Sequence, residues 1–106
     1  MIIVTSETIA NMRIVKTLGL VRGNTVRARH IGKDIMASFR NIVGGEVHEY
    51  AKLIAESREQ TIDRMVAEAE SLGANAILAT RFTTSVMMGG AAELLAVGTA
   101  VVVEDA

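Results

Sequence analysis

The sequence predicts one small α+β domain spanning residues 1–106, with elements in the order β-β-α-α-β-β and an antiparallel sheet covered by a long helix. Three observations lead there. Apolar residues change from alternation to three- and four-residue steps along the chain, then change back. The 106 residues suffice for one modest core. No proline, low-complexity linker or internal repeat divides them.

Ile2 to Thr5 and Arg13 to Arg29 are rich in β-branched residues and read as strands, with Gly23-Asn24 as a hairpin turn. In the stretch TVRAR, alternation places Val26 and Ala28 on a dry face and Arg27 and Arg29 on the other. Ile35, Met36, Phe39, Ile42 and Val43 then recur at helical spacing, predicting a short helix over Lys33 to Val43. Gly44-Gly45 follows as a joint, a helix C-cap plus a turn. A longer helix carries Tyr50, Leu53, Ile54, Ile62, Met65, Val66, Ala69 and Leu72 on one side, and Leu72-Gly73 stops it. Asn75 to Val86 and Leu94 to Val103 read as an antiparallel strand pair joined through MMGGAAE. The second of these is apolar on both faces, with Leu94, Ala96, Ala100 and Val102 on one and Leu95, Val97, Val101 and Val103 on the other. A strand of that kind needs cover on both sides. The long helix supplies one cover and a second subunit is expected to supply the other, making Val97, Val101 and Val103 the interface candidates.

Composition narrows the chemistry. Half of the residues are hydrophobic, yet only Phe39, Tyr50 and Phe82 are aromatic, leaving more aliphatic surface than one small core needs. The absence of cysteine excludes disulfides, thiolate metal sites and thiol nucleophiles. The start, MIIVTSETIA, lacks a basic n-region, so a cytoplasmic protein is expected. Val86 to Val103 is about as long as a bilayer span, but the carboxylate of Glu93 at its centre argues for a turn and a buried strand instead, and no membrane partner is expected. Residues 1–40 carry seven Lys or Arg against two acids, and residues 41–106 four against ten. Basic strands complementing an acidic helix account for this. With so few aromatic rings to stack on bases, no nucleic-acid partner is expected.

Candidate ligands are sparse. Glu46, His48 and Glu49 offer imidazole and carboxylates for a divalent ion, set against the ordinary use of acids in a helix first turn. Glu56, Glu59 and Asp63 share one helical face, as a carboxylate site requires and as a solvated charged face also does. His30 with Asp34 could form a base and its orienter, but no nucleophile is marked out beside them. Gly44-Gly45 precedes Glu46 and Glu49, which would repel a phosphate, so the glycines read as structural. No catalytic residue and no cofactor is expected.

The words VTSETI at the start, LGLVRG at 18–23, FRNIVGG followed by Tyr50, LGANAI at 72–77 and GTAVVVE at 98–104 together resemble the YbjQ-like family of small bacterial and archaeal proteins. They span nearly the whole chain. The resemblance implies a dodecin-like α+β subunit that forms a ring with copies of itself, a homopentamer or a multiple of five, and it implies no catalytic mechanism. It also brings a heavy-metal-binding label, which rests in part on cysteine-bearing members. On this reading the protein is a self-assembling small protein receiving a small ligand or ion at its subunit interfaces. The alternatives are a metal-binding protein using Glu and His ligands, and an enzyme with an interface site holding His30 or Arg81.

Overall fold

A computed structural model describes residues 1–27, 48–87 and 91–106. The helix expected over Lys33 to Val43 and the joint at Gly44-Gly45 lie outside them. The elements are β1 (Ile2–Ile3), β2 (Met12–Arg27), α1 (His48–Ser71), β3 (Ala76–Met87) and β4 (Ala91–Asp105). They build one four-stranded sheet in the order β1-β3-β4-β2, with α1 on one face. β4 pairs antiparallel with both β2 and β3, the pairing with β3 being the one expected. β1 pairs parallel with β3, through Ile2 with Ala76 and Ile3 with Ile77, so the sheet is mixed rather than wholly antiparallel. No described helix is long and apolar enough to cross a membrane.

The expected hairpin at Gly23-Asn24 does not form. β2 runs unbroken through both residues for 16 positions, pairing Gly23 with Ala96 and Asn24 with Leu95. The glycine serves a different need, because a Cβ there would sit 2.3 Å from the Thr61 carbonyl oxygen and 2.4 Å from the Met65 nitrogen. Only a residue without a side chain lets the helix backbone come so near the strand. The neighbouring parity is also reversed from expectation. Val21, Gly23 and Thr25 face α1 and are buried, whereas Val26 is exposed on the opposite face.

That close approach explains a polar seam that hydrophobic spacing missed. Ser57, Thr61, Met65 and Ala69 form the buried stripe of α1 at four-residue steps. Thr61 Oγ1 donates to the Ser57 carbonyl at 2.7 Å and lies 3.0 Å from Thr25 Oγ1, so the buried hydroxyls satisfy one another. Val21, Met65, Ala69, Ile77, Ala96 and Ala100 make the main core around them. At the end of α1, Gly73 has φ +88°; its N–H donates to Glu70 O at 3.0 Å and that of Ala74 to Ala69 O at 3.1 Å. This is the glycine stop expected from Leu72-Gly73.

The other face of the sheet has its own small core. Ala76, Leu78, Val101 and Val103 are buried there beneath Val4, Ile9 and Met12. The chain's own N-terminal segment, not a second subunit, therefore covers this end of β4. Asn75 fixes the register, donating from Nδ2 to Val103 O at 2.9 Å and accepting from Val103 N at 2.8 Å. Cover ends beyond Thr99. On that face Leu20 is 66% and Val26 53% exposed, and Leu95 and Val97 are half-buried.

Candidate functional site

Where the N-terminal segment ends, β3 departs from regular pairing. Leu78 lies opposite Thr99 and the ladder resumes with Arg81 opposite Val97, so β3 carries one residue more than β4 across this step. Such a bulge changes which face the following side chains take. Without it, Arg81 would have the parity of Ile77 and point under α1; with it, Arg81 shares the open face with Val97.

Three features lock the bulge in place. Ala79 has φ +53°, a conformation that costs a residue with a Cβ about 1 kcal/mol or more. Its N–H donates to Ser6 O at 2.9 Å, and that of Thr80 donates to Val4 O at 3.0 Å. Arg81 reaches back, Nη1 donating to Thr5 O and to Thr80 O, each at 2.8 Å. Thr80 turns inward, 4% exposed, and its hydroxyl is the one buried side-chain oxygen among the described residues with no hydrogen-bond partner. Gly98 makes room for it, since a Cβ there would meet Ile77 Cγ2 at 2.5 Å and Thr80 Oγ1 at 3.3 Å.

The result is a row across three strands, Arg22 on β2, Val97 on β4 and Arg81 on β3. Two strand spacings put the outer Cα atoms on the order of 10 Å apart. The rows on either side are Leu20, Thr99 and Leu78, then Asn24, Leu95 and Thr83. They are uncharged. The first carboxylate in this ladder is Glu93, two rows away, which accepts from Asn24 Nδ2 at 3.2 Å. The site thus offers two arginines flanking an apolar floor, and the nearest carboxylate, Glu68 of α1, meets Arg22 at its backbone N–H.

Other expected residues do not join it. Gly44, Gly45 and Glu46 lie outside the described residues, as do His30 and Asp34; His48 and Glu49 are the first two residues of α1. Glu56 and Glu59, with Ala55, Arg58 and Gln60, line an open depression on the outer surface of α1. Among the described residues, no three His, Asp or Glu side chains converge as a metal would require. Val101 and Val103 are 1% and 5% exposed beneath the N-terminal segment, so of the three interface candidates only Val97 retains surface. The partnership of Arg22 with Arg81 escaped sequence reading because it depends on the bulge, which no turn residue announces.

Comparison with known proteins gives the chain its relatives. The family model YbjQ_1, described as "Putative heavy-metal-binding", matches residues 1–104. The chain belongs to this family. YbjQ-like relatives include a UPF0145 protein of Methanosarcina acetivorans, 56% identical over 101 residues and 95% of each chain. Another, from Dehalococcoides mccartyi, is 55% identical over 104 residues, 98% of this chain and 100% of the relative. A crystal structure of a protein of unknown function from Pediococcus pentosaceus, assigned to the DUF74 family, shares the YbjQ-like fold at TM-score 0.66 and 13% identity, covering 98% of each chain. Three stretches of this sequence converge on the bulge: VTSETI supplies Val4, Thr5 and Ser6, LGANAI leads into β3, and GTAVVVE begins with Gly98.

Proposed function

We propose that the protein is a non-enzymatic, self-assembling subunit of a homopentameric ring that receives a small ligand or ion where subunits meet. The observation that carries this is the half-covered sheet. The N-terminal segment shelters one end of the face opposite α1, while Leu20 and Val26 stand exposed beside the half-buried Leu95 and Val97. An apolar face of that kind is typical of surfaces that meet a partner. The extents of 55 × 25 × 16 Å and a radius of gyration of 17.1 Å support the same reading, against about 13 Å for a compact domain of this length. The number five rests on the family resemblance. Light scattering at micromolar concentration tests the assembly, with a single species near five times 11.3 kDa expected. A stable, folded monomer refutes it.

The family description favours a second reading, metal binding by oxygen and imidazole ligands. With no cysteine, soft thiolate coordination is unavailable to this member. Elemental analysis after dialysis against Zn²⁺ or Cu²⁺ separates the readings. We expect no stoichiometric ion. About one per subunit, lost in His48→Ala, would establish the metal reading instead.

A further inference from the structure

We propose that the row Arg22, Val97 and Arg81 binds an amphipathic organic anion, its carboxylate or phosphate held between the guanidinium groups and its apolar body lying along Leu20, Val97 and Leu95. This rests on the ligand-receiving role above and names the ligand's chemistry.

The bulge is the principal evidence. It retains a positive φ at Ala79 and an unpartnered hydroxyl at Thr80, and what those costs secure is the placement of Arg81 on the open face. Strain of this kind persists where the surrounding structure holds it, and it concentrates at ligand sites. The anchoring is a second argument. Two backbone carbonyls fix one nitrogen of Arg81, so a planar guanidinium is already oriented before any ligand arrives. Third, neither guanidinium is ion-paired among the described residues, Glu68 accepting from the Arg22 backbone N–H. The ion pair among the described residues joins Arg13 to Glu104, away from the row, and Glu93 is engaged by Asn24. Guanidinium forks pair with carboxylate and phosphate oxygens in charge-assisted hydrogen bonds. The floor between them is aliphatic, which selects an anion with an apolar body over a bare inorganic one.

Isothermal titration of the intact protein with decanoate, inorganic phosphate and decanol is the test, with light scattering and thermal melting run on the same samples. We expect saturable decanoate binding that weakens at least tenfold in Arg22→Gln, recovers in part in Arg22→Lys, and falls with added salt. Phosphate and decanol should each bind at least tenfold more weakly than decanoate. Arg22→Gln serves because the hydrogen bond of Arg22 uses its backbone N–H, so the melting temperature should not move, and binding is compared at equal mass by light scattering. Undiminished binding in Arg22→Gln, equal affinity for decanol, or no saturable decanoate binding by the assembled protein overturns this site while leaving self-assembly standing. A folded monomer that binds decanoate through Arg22 would overturn the assembly and keep the site.

Discussion

Two buried positions show how differently single atoms weigh in this fold. At Gly23 a methyl group would press on the helix backbone at Thr61 and Met65, which cannot yield as a flexible side chain would. Gly23→Ala should destabilise the protein by about 3 kcal/mol, the upper end of ordinary overpacking, read as a lowered midpoint in urea. At Thr80 the opposite holds. Its hydroxyl is buried without a partner, so Thr80→Val keeps the shape and removes a polar atom that gains nothing from burial. Stability should stay level or rise by about 1 kcal/mol. A marked loss would mean that the hydroxyl is engaged after all. Neither role is written in residue type, since a glycine beside asparagine resembles a turn and a threonine in a strand resembles any other.

The elements themselves were largely legible. The long helix, its glycine stop and the antiparallel pair follow from spacing because each is set by local periodicity, and the observed β3 and β4 extend the expected strands by at most a few residues. What sequence could not convey was tertiary: the helix resting on Gly23, the parity of Thr25 over Val26, and the folding of residues 4–12 across the second sheet face. Hydrophobic alternation says that both faces of β4 are covered but not by what. The distinction has a measurable consequence. Val101→Asp buries a charge beneath Val4 and Ile9 within one chain, so it should unfold the subunit, with a loss of several kcal/mol. Val97→Asp, on the half-exposed stretch, should keep the fold and disturb assembly, giving a native circular dichroism spectrum with reduced mass by light scattering. Equal unfolding by both would place Val97 in the core.

For the whole molecule, the question is how a sheet with one helical cover guards its remaining edge. β2 is an edge strand among the described residues, and its backbone is partly engaged by α1: Arg22 N donates to Glu68 Oε2 at 3.3 Å, and Arg64 Nη1 donates to Asn24 O at 2.6 Å. Occupying outward backbone groups in this way guards against indiscriminate edge pairing. The exposed Leu20 remains, and Leu20→Arg should shift the assembly toward smaller species at constant helicity, as checked by sedimentation velocity. An unchanged sedimentation coefficient would remove Leu20 from the interface. The same edge gives a further expectation: replacing Glu68 and Arg64 together by Ala should increase aggregation on heating more than it lowers the melting temperature, because the edge is uncovered while the core is untouched.

The extra residue in β3 works like a phase setting on an alternating signal. Substituting the residue at 79 changes only how comfortably the chain bends there, and Gly would suit the left-handed backbone better than Ala. Removing it would set Thr80 opposite Gly98 and leave Arg81 opposite Val97, so the ladder would run regularly and the side chains from Arg81 to Met87 would keep their faces. In this fold, then, position 79 should accept a gap at the loss of its bond to Ser6, whereas a gap after Arg81 would turn over the rest of the strand.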